Sequence, residues 1–387
     1  MGKRDPSAPL RVANAPIRVA QVLGKLSAGG VESVVYNYYR HIDHTKFQFD
    51  FFIDADSTCA PRQDLIDMGA RYFAVPPYQK LPQYISALIR LFKENRYPIV
   101  HSHMNTLAVF SLFAAWAAKV PVRICHNHST AGRGETAKNI MKYALRPFAK
   151  LFATDYCACS QYAAEWLFGR RAVARGEVTV FQNAIELDRF RFQPEVRSVV
   201  RKELNLEDKF VIGHVGRFCV QKNHEFLIDI FAEVYKRRED AALLLVGEGP
   251  LMGDVKEKVH RRGLDGAVRF LGVRDDVDRL YQAMDVFVLP SRYEGLGIVN
   301  IEAQVSGLPC VVSNYVPGEA AVTENITFLP LNAGAKIWAG QTTAARSEDR
   351  GDVAYKIQSG GFDIEVQVEN LQSFYEKNCR IEAPCEF

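Results

Sequence analysis

Two carboxylates eight positions apart, Glu294 and Glu302, are the residues of this chain best placed by type and spacing to do chemistry. They lie in the stretch 292–303, RYEGLGIVNIEA. The apolar run Val286–Leu289 before it reads as a buried parallel strand that ends in a loop, and helical periodicity begins at about Ile298. Glu294 therefore falls on a loop at the carboxyl end of a strand, where open α/β sheets bind ligands. Glu302 falls about one turn inside the following helix. Between them Gly295, Leu296, Gly297 and Ile298 leave backbone N–H groups unobstructed near a helix N-terminus, an arrangement suited to a phosphate. Two carboxylates for sugar hydroxyls with amides for a phosphate between them make a cradle for a nucleotide-sugar. Taken alone, the spacing also fits an acidic residue that simply stabilises a helix start through the macrodipole.

A second constellation follows the strand Phe210–Val215, in the stretch 213–224, GHVGRFCVQKNH. Gly216 opens the loop, Arg217 can fork onto phosphate oxygens, and Lys222 supplies a flexible point charge. Together they can neutralise a developing nucleoside diphosphate without a metal. Gly29 and Gly30 follow the first strand of the chain and open a helix, where paired glycines let backbone approach a phosphate or an acceptor. His101 and His103, and His126 and His128, end two further apolar strands and point toward the same end of the sheet. His-x-His is a metal-ligand spacing, but no Asp, Glu or Cys cluster completes it nearby and alternate strand residues need not converge. No metal and no cofactor are expected. Gly247–Pro250 reads as a structural turn, and no role is assigned to Glu319, which follows a glycine in the stretch 316–319, VPGE.

The elements that must carry these residues alternate short apolar runs with amphipathic segments, the rhythm of parallel sheets covered by helices. At 387 residues the chain suits two domains of roughly 150–200 residues each. Strands are expected at 17–23, 47–53, 71–75, 99–102, 122–126, 155–158 and 178–182, with helices such as 31–40, 82–95 and 107–118 between them. The rhythm restarts at 210–215 and continues at 242–246, 268–271, 286–289 and 310–312, with helices such as 225–238 and 250–262. This gives a tail over 1–16, a first domain over 17–190, a second over 191–362, and a helix and tail over 363–387 that can cross back to the first. Residues 331–362 read as loops and a frayed helix. Residues 1–195 hold 25 of the 48 Lys and Arg and 16 of the 45 Asp and Glu, a balance of +9, leaving −6 for the rest and +3 overall. A basic first half permits contact with an anionic acceptor or membrane surface. No helix-turn-helix, zinc-finger or RNP-like pattern points to nucleic acid. Eight cysteines without Cys-x2-Cys spacing, no apolar leader and no run long enough to span a bilayer fit a reduced cytosolic protein.

The Glu-x7-Glu spacing resembles that of the retaining glycosyltransferases of family 4, and the resemblance extends from about Ile17 to Phe328. It implies an α/β fold of two Rossmann-like domains facing across a cleft, the GT-B architecture. It also implies transfer of a hexose from a nucleoside-diphosphate sugar, UDP first and GDP second, to a sugar or lipid-linked sugar acceptor. In the family the first glutamate holds donor-sugar hydroxyls and the second the ribose diol, which carries over to Glu294 and Glu302. Arg217 and Lys222 match the phosphate-binding cations, and the loop at Val273 and Arg274 looks like the one that receives the nucleobase. His126 resembles the cleft histidine beside the donor sugar, with His128 two residues on as the competing assignment. Many similar sequences build bacterial surface polysaccharides, which implies a cytoplasmic enzyme at the inner face of the plasma membrane. An epimerase or hydrolase on the same scaffold, or a non-catalytic nucleotide-sugar sensor, are the alternatives.

Overall fold

The computed structural model of the protein describes residues 15–26, 30–130, 136–345, 350–351 and 360–379. Seven strands of the first half pair in parallel: β1 (Ile17–Gly24), β2 (Phe47–Asp54), β3 (Arg71–Val75), β4 (Ile99–Ser102), β5 (Val122–Asn127), β6 (Asp155–Ala158) and β7 (Val178–Val180). Their order across the sheet is β3-β2-β1-β4-β5-β6-β7. Six more form a second parallel sheet: β8 (Phe210–Val215), β9 (Ala241–Val246), β10 (Val268–Gly272), β11 (Val286–Leu289), β12 (Cys310–Ser313) and β13 (Ile326–Leu329). Their order is β10-β9-β8-β11-β12-β13. The central strands are apolar or buried along their whole length, as β2 and β9 show, because helices cover both faces of such sheets.

Each sheet reverses its winding once, between β1 and β4 in the first and between β8 and β11 in the second. At such a switch point the loops leaving neighbouring strands diverge to opposite faces and open a crevice at their carboxyl ends. The loops after β1 and β4 include Gly30 and His103; those after β8 and β11 include Lys222 and Glu294.

The helix Ile364–Cys379 returns to the first sheet. Ile364, Val368, Leu371 and Tyr375 join the core that holds Phe47 and Phe49, and the Tyr375 ring centroid lies 5.6 Å from that of Phe47. The return is clamped where the Ile185 amide donates to the Phe362 carbonyl (2.9 Å) and the Ile364 amide donates to the Ile185 carbonyl (3.1 Å).

The expected strands are present, with two differences in the less regular stretches. β7 ends at Val180, short of Gln182, and the half-buried edge strand β13 was not anticipated. Residues 335–344 form a full helix rather than a frayed one. Its sequence is a poor helix former, with Gly340 and two adjacent threonines, and tertiary contact supplies what propensity lacks. Trp338 is fully buried, donates its indole N–H to the Pro330 carbonyl at 3.1 Å, and packs edge-on against Phe226. Among the described residues no helix is long and apolar enough to cross a membrane. Cys125, Cys157, Cys159 and Cys310 are buried free thiols.

Trp338→Ala should therefore destabilise the second domain by about 3–5 kcal/mol, the usual cost of emptying a large aromatic site. Chemical denaturation followed by circular dichroism should show an earlier transition, with Trp338→Phe recovering most of the loss.

Candidate active site

β8 and β11 are neighbours, with Ile212 opposite Val286 and Gly213 opposite Phe287, so the loops that leave their carboxyl ends run side by side. The two loops are tied by the Arg292 amide, which donates to the Gln221 carbonyl at 2.7 Å. That register brings Lys222 to Glu294 across 72 residues of sequence. The Lys222 ammonium donates to Glu294 Oε1 at 2.7 Å, Ser291 Oγ donates to the same oxygen at 2.7 Å, and Gln221 Nε2 donates to Oε2 at 3.1 Å. Glu294 is 5% exposed. A carboxylate so far out of water is tolerable only when paired and hydrogen-bonded, and these three donors meet that need. Gly216 lies under the Lys222 stem, where a Cβ would sit 3.1 Å from three of its carbons. Arg217 stands exposed at the mouth of the same loop.

Two glycines shape the loop that carries Glu294. Gly297 precedes the helix Ile298–Val305 with φ +80°, a left-handed conformation that side chains rarely adopt. Gly295 meets the first domain so closely that a Cβ would lie 2.3 Å from the His128 carbonyl oxygen. Leu296 is buried between them. Glu302 sits one turn into the helix, as expected, and accepts a hydrogen bond from the Tyr281 hydroxyl at 2.9 Å. Burial pushes its carboxyl up to about 7, against the opposing pull of the Tyr281 hydroxyl, Arg189 and Lys222.

The loops after β8, β9 and β10 are stapled in series: the Gly216 amide donates to the Val246 carbonyl (2.9 Å), and the Gly247 amide to the Gly272 carbonyl (2.7 Å). Val273 and Arg274 follow β10 at the outer end of this series. The Val273 side chain is exposed, and Arg274 forks onto Asp276 at 2.7 Å. Gly247 and Gly249 pack on the backbone of Gly216 and Phe218, in keeping with a structural turn.

In the first domain Gly30 opens the helix Gly30–His41 and is exposed; Gly29 lies outside the described residues. The histidines depart from expectation. His101, His103, His126 and His128 all converge, and nitrogens of the first three lie within 4.8 Å of one another. The reason is parity. In the β4–β5 register His101 opposes Ile124, so residues 101, 103, 126 and 128 fall on one face of adjacent strands. All four are buried, and burial holds His128 down to about 3 and the other three well below the usual imidazole range, so all are neutral at physiological pH. His128, through its carbonyl, borders the Glu294–Gly295 loop. His126 lies 5.1 Å from His101 and 6.3 Å from Phe181 by ring centroid.

Two further contacts across the seam involve residues the sequence left without a role. Ser160 caps the helix Gln161–Phe168 by accepting from the Ala163 amide (3.1 Å) and donates to the Gly295 carbonyl (3.3 Å). Glu319, from the second domain, accepts from the Gln161 and Tyr162 amides at 3.2 Å each, placing its charge on the positive end of that helix. Gln221, Ser291 and Tyr281 were also missed. The first two are ordinary polar residues within four positions of a recognised one, and Tyr281 is separated from Glu302 by 21 residues.

Comparison with known proteins identifies the family and the fold. Residues 28–189 match the family described as Glycosyltransferase Family 4, and residues 209–339 the one described as Glycosyl transferases group 1. The putative glycosyltransferase EpsF of Bacillus subtilis is 34% identical over 370 residues, covering 92% of this chain and 96% of the relative. The UDP-Gal:alpha-D-GlcNAc-diphosphoundecaprenol alpha-1,3-galactosyltransferase of Escherichia coli is 27% identical over 82% of this chain and 84% of its own length. Among solved structures, Anabaena Alr3699/HepE in complex with UDP and glucose superposes with a TM-score of 0.77 at 20% identity, covering 93% of this chain and 99% of that one. The chain belongs to the family 4 glycosyltransferases and has their GT-B fold.

Glu302 gives a test of its surroundings in the ligand-free protein. Its carboxyl titrates near its ordinary 4.5 when unfolded and at about 7 when folded, so the folded state holds a proton that the unfolded state has lost. Stability should fall as pH rises from about 4.5 to about 7, by roughly 3 kcal/mol, and level off above. Glu302→Gln should lack this term. Denaturation at pH 5 and pH 8 should show the variant gaining on the wild type at the higher pH.

Proposed function

We propose that this enzyme transfers a hexose, with retention of anomeric configuration, from a nucleoside-diphosphate sugar to a hydroxyl of a sugar or lipid-linked sugar acceptor. The observation that carries the reading is the placement of Glu294. It is a buried carboxylate held by Lys222, Ser291 and Gln221 at the second switch point, one residue from the seam with His128. A rigidly oriented acceptor of hydrogen bonds at that position suits donor-sugar hydroxyls. Arg217, Lys222 and the amides from Gly295 to Ile298 suit the diphosphate, Glu302 the ribose diol, and the backbone at Val273 and Arg274 the base. Two cations and a helix N-terminus provide the charge that a metal ion would otherwise bring to a diphosphate, so no metal or other cofactor is assigned.

In the reaction the acceptor oxygen attacks the anomeric carbon on the face from which the phosphate leaves. The bond from that carbon to the β-phosphate oxygen breaks with its electron pair, and the hydroxyl proton passes to the leaving phosphate. Negative charge grows on that phosphate, and pre-positioned cations and amides stabilise it more in the transition state than in the ground state. UDP is the first choice of nucleotide: HepE is described with UDP and with UDP-glucose, and the Escherichia coli relative is named for UDP-Gal. That relative acts on a diphosphoundecaprenol-linked sugar, and another is named as a capsular polysaccharide glycosyltransferase. Together with the +9 balance of residues 1–195 this supports surface-polysaccharide synthesis at the cytoplasmic face of a membrane, with peripheral contact to anionic lipid.

A thermal-shift panel of UDP-, GDP- and ADP-sugars, with and without EDTA, tests the donor site. A ligand at one hundred times its Kd should stabilise the folded state by about 2.7 kcal/mol. The expected result is a shift with UDP-sugars that EDTA leaves unchanged and that Lys222→Ala and Glu294→Gln each diminish. No shift with any nucleotide in folded protein, or a shift indifferent to both substitutions, would refute the assignment.

A further inference from the structure

Four buried imidazoles are more than contact with one sugar requires, and their hydrogen bonds form a single line. Gln21, on β1, lies at its middle. Gln21 Nε2 donates to the Tyr375 hydroxyl (3.1 Å), which lies 2.8 Å from His101 Nδ1; His101 Nε2 lies 3.0 Å from His126 Nδ1. On the other side Gln21 Oε1 lies 2.8 Å from His103 Nε2, and His103 Nδ1 lies 2.8 Å from His128 Nε2. The two ends of the line, His126 Nε2 and His128 Nδ1, are buried and without a partner among the described residues.

A neutral imidazole has one donor and one acceptor nitrogen, so each link fixes the next. With the amide as it stands, the Tyr375 hydroxyl accepts from Gln21 and donates to His101 Nδ1. His101 is then the Nε2–H tautomer and donates to His126 Nδ1, which leaves His126 with Nε2–H. On the other arm Gln21 Oε1 accepts from His103 Nε2–H, and His103 Nδ1 accepts from His128 Nε2–H, which leaves His128 Nδ1 bare. All four histidines are held as the same tautomer by one amide. Turning that amide over would convert all four, so the two open ends are always of opposite kind.

The same geometry argues against an ion. The rings of His101 and His126 are nearly parallel (14°), while His103 stacks on His101 at 4.3 Å and His128 on His126 at 4.1 Å. Lone pairs of stacked rings run parallel rather than toward a common point. Facing nitrogens 3.0 and 2.8 Å apart leave no room for two metal–nitrogen bonds of about 2.0–2.1 Å in line.

We propose that Gln21 and Tyr375 are positioning residues for sugar transfer, which hold His126 Nε2 as a donor and His128 Nδ1 as an acceptor for hydroxyl groups of the sugars entering the seam. The proposal rests on the sugar-transfer reading for its ligand. The Tyr375 hydroxyl comes from the helix Ile364–Cys379, so the crossing helix completes the polar interior of the first domain as well as its core.

The test is nitrogen NMR of the full-length protein labelled in its histidines, joined to kinetics. Wild type should show His101, His103, His126 and His128 all protonated at Nε2 alone. Tyr375→Phe should release His101 and His126 from that tautomer while His103 and His128 keep it; Gln21→Met should release both arms. Each variant should keep the wild-type melting temperature shift with nucleotide and lose about tenfold in kcat, the low end of what metal-bound histidines lose with their orienting partner, with donor KM within about twofold. Any of the four found as Nδ1–H in wild type, tautomers or kcat unmoved by either substitution, or one equivalent of metal in the purified protein would overturn the proposal. The tautomer pattern does not depend on nucleotide binding, so a failed donor assignment and a failed relay give different results.

Discussion

Burial of the Glu294 carboxylate is the constraint on which the rest of the site depends. Removing a carboxylate from water costs several kcal/mol unless opposite charge and hydrogen bonds replace the solvent. Here the replacement is an ammonium, a hydroxyl and an amide, drawn from two loops that leave neighbouring strands. Such a carboxylate has a fixed orientation, which exposed acids lack, and it is charged beside a cation that can be drawn elsewhere. On the proposed reading, a phosphate arriving near Lys222 would compete for that ammonium directly, and the ion pair of the ligand-free protein would be the point where donor binding changes the site. The sheet order has its consequence here: only with β11 beside β8 do Lys222 and Glu294 fall within reach.

The seam follows a different logic. The second domain brings the charged groups of Lys222, Glu294 and Glu319, and the first brings a buried cluster of neutral histidines with two open nitrogens. Glu319 on the Gln161–Phe168 helix, Ser160 on the Gly295 carbonyl, and the exposed Arg62–Asp275 pair at 3.0 Å are among the polar contacts across the seam. Each is small or near solvent, and surface ion pairs of this kind contribute about 0–1 kcal/mol. Contacts of that strength can be remade as substrates enter and leave. Gly295 against His128 has no such slack, because backbone meets backbone there.

Much of this was legible from the residues because the relevant signals are local. Strands buried on both faces read as apolar runs, Glu294 and Glu302 are fixed relative to each other by one loop and one helical turn, and Arg217 and Lys222 lie within a single loop. What was not legible is non-local. Gln21 and Tyr375 are 354 positions apart, and Glu319 reaches a helix 157 residues earlier. The convergence of the histidines was missed because parity within one strand says nothing until the neighbouring strand and its register are known. With β4 beside β5, two His-x-His pairs of the same parity must share a face, and the expectation that they need not converge fails on that point. The helix Ala335–Ala344 was obscured because its stability comes from Trp338 rather than from its own propensities.

A crystal structure with UDP-hexose bound tests the central claim most directly. The account predicts the diphosphate on Arg217, Lys222 and the amides of Gly295–Ile298, with the Lys222 ammonium moved from Glu294 to a phosphate oxygen. Glu294 should then receive hydroxyls of the sugar, which lies against His128. A nucleotide bound elsewhere, or one bound here with the Lys222–Glu294 pair intact and no sugar hydroxyl on Glu294, would contradict it.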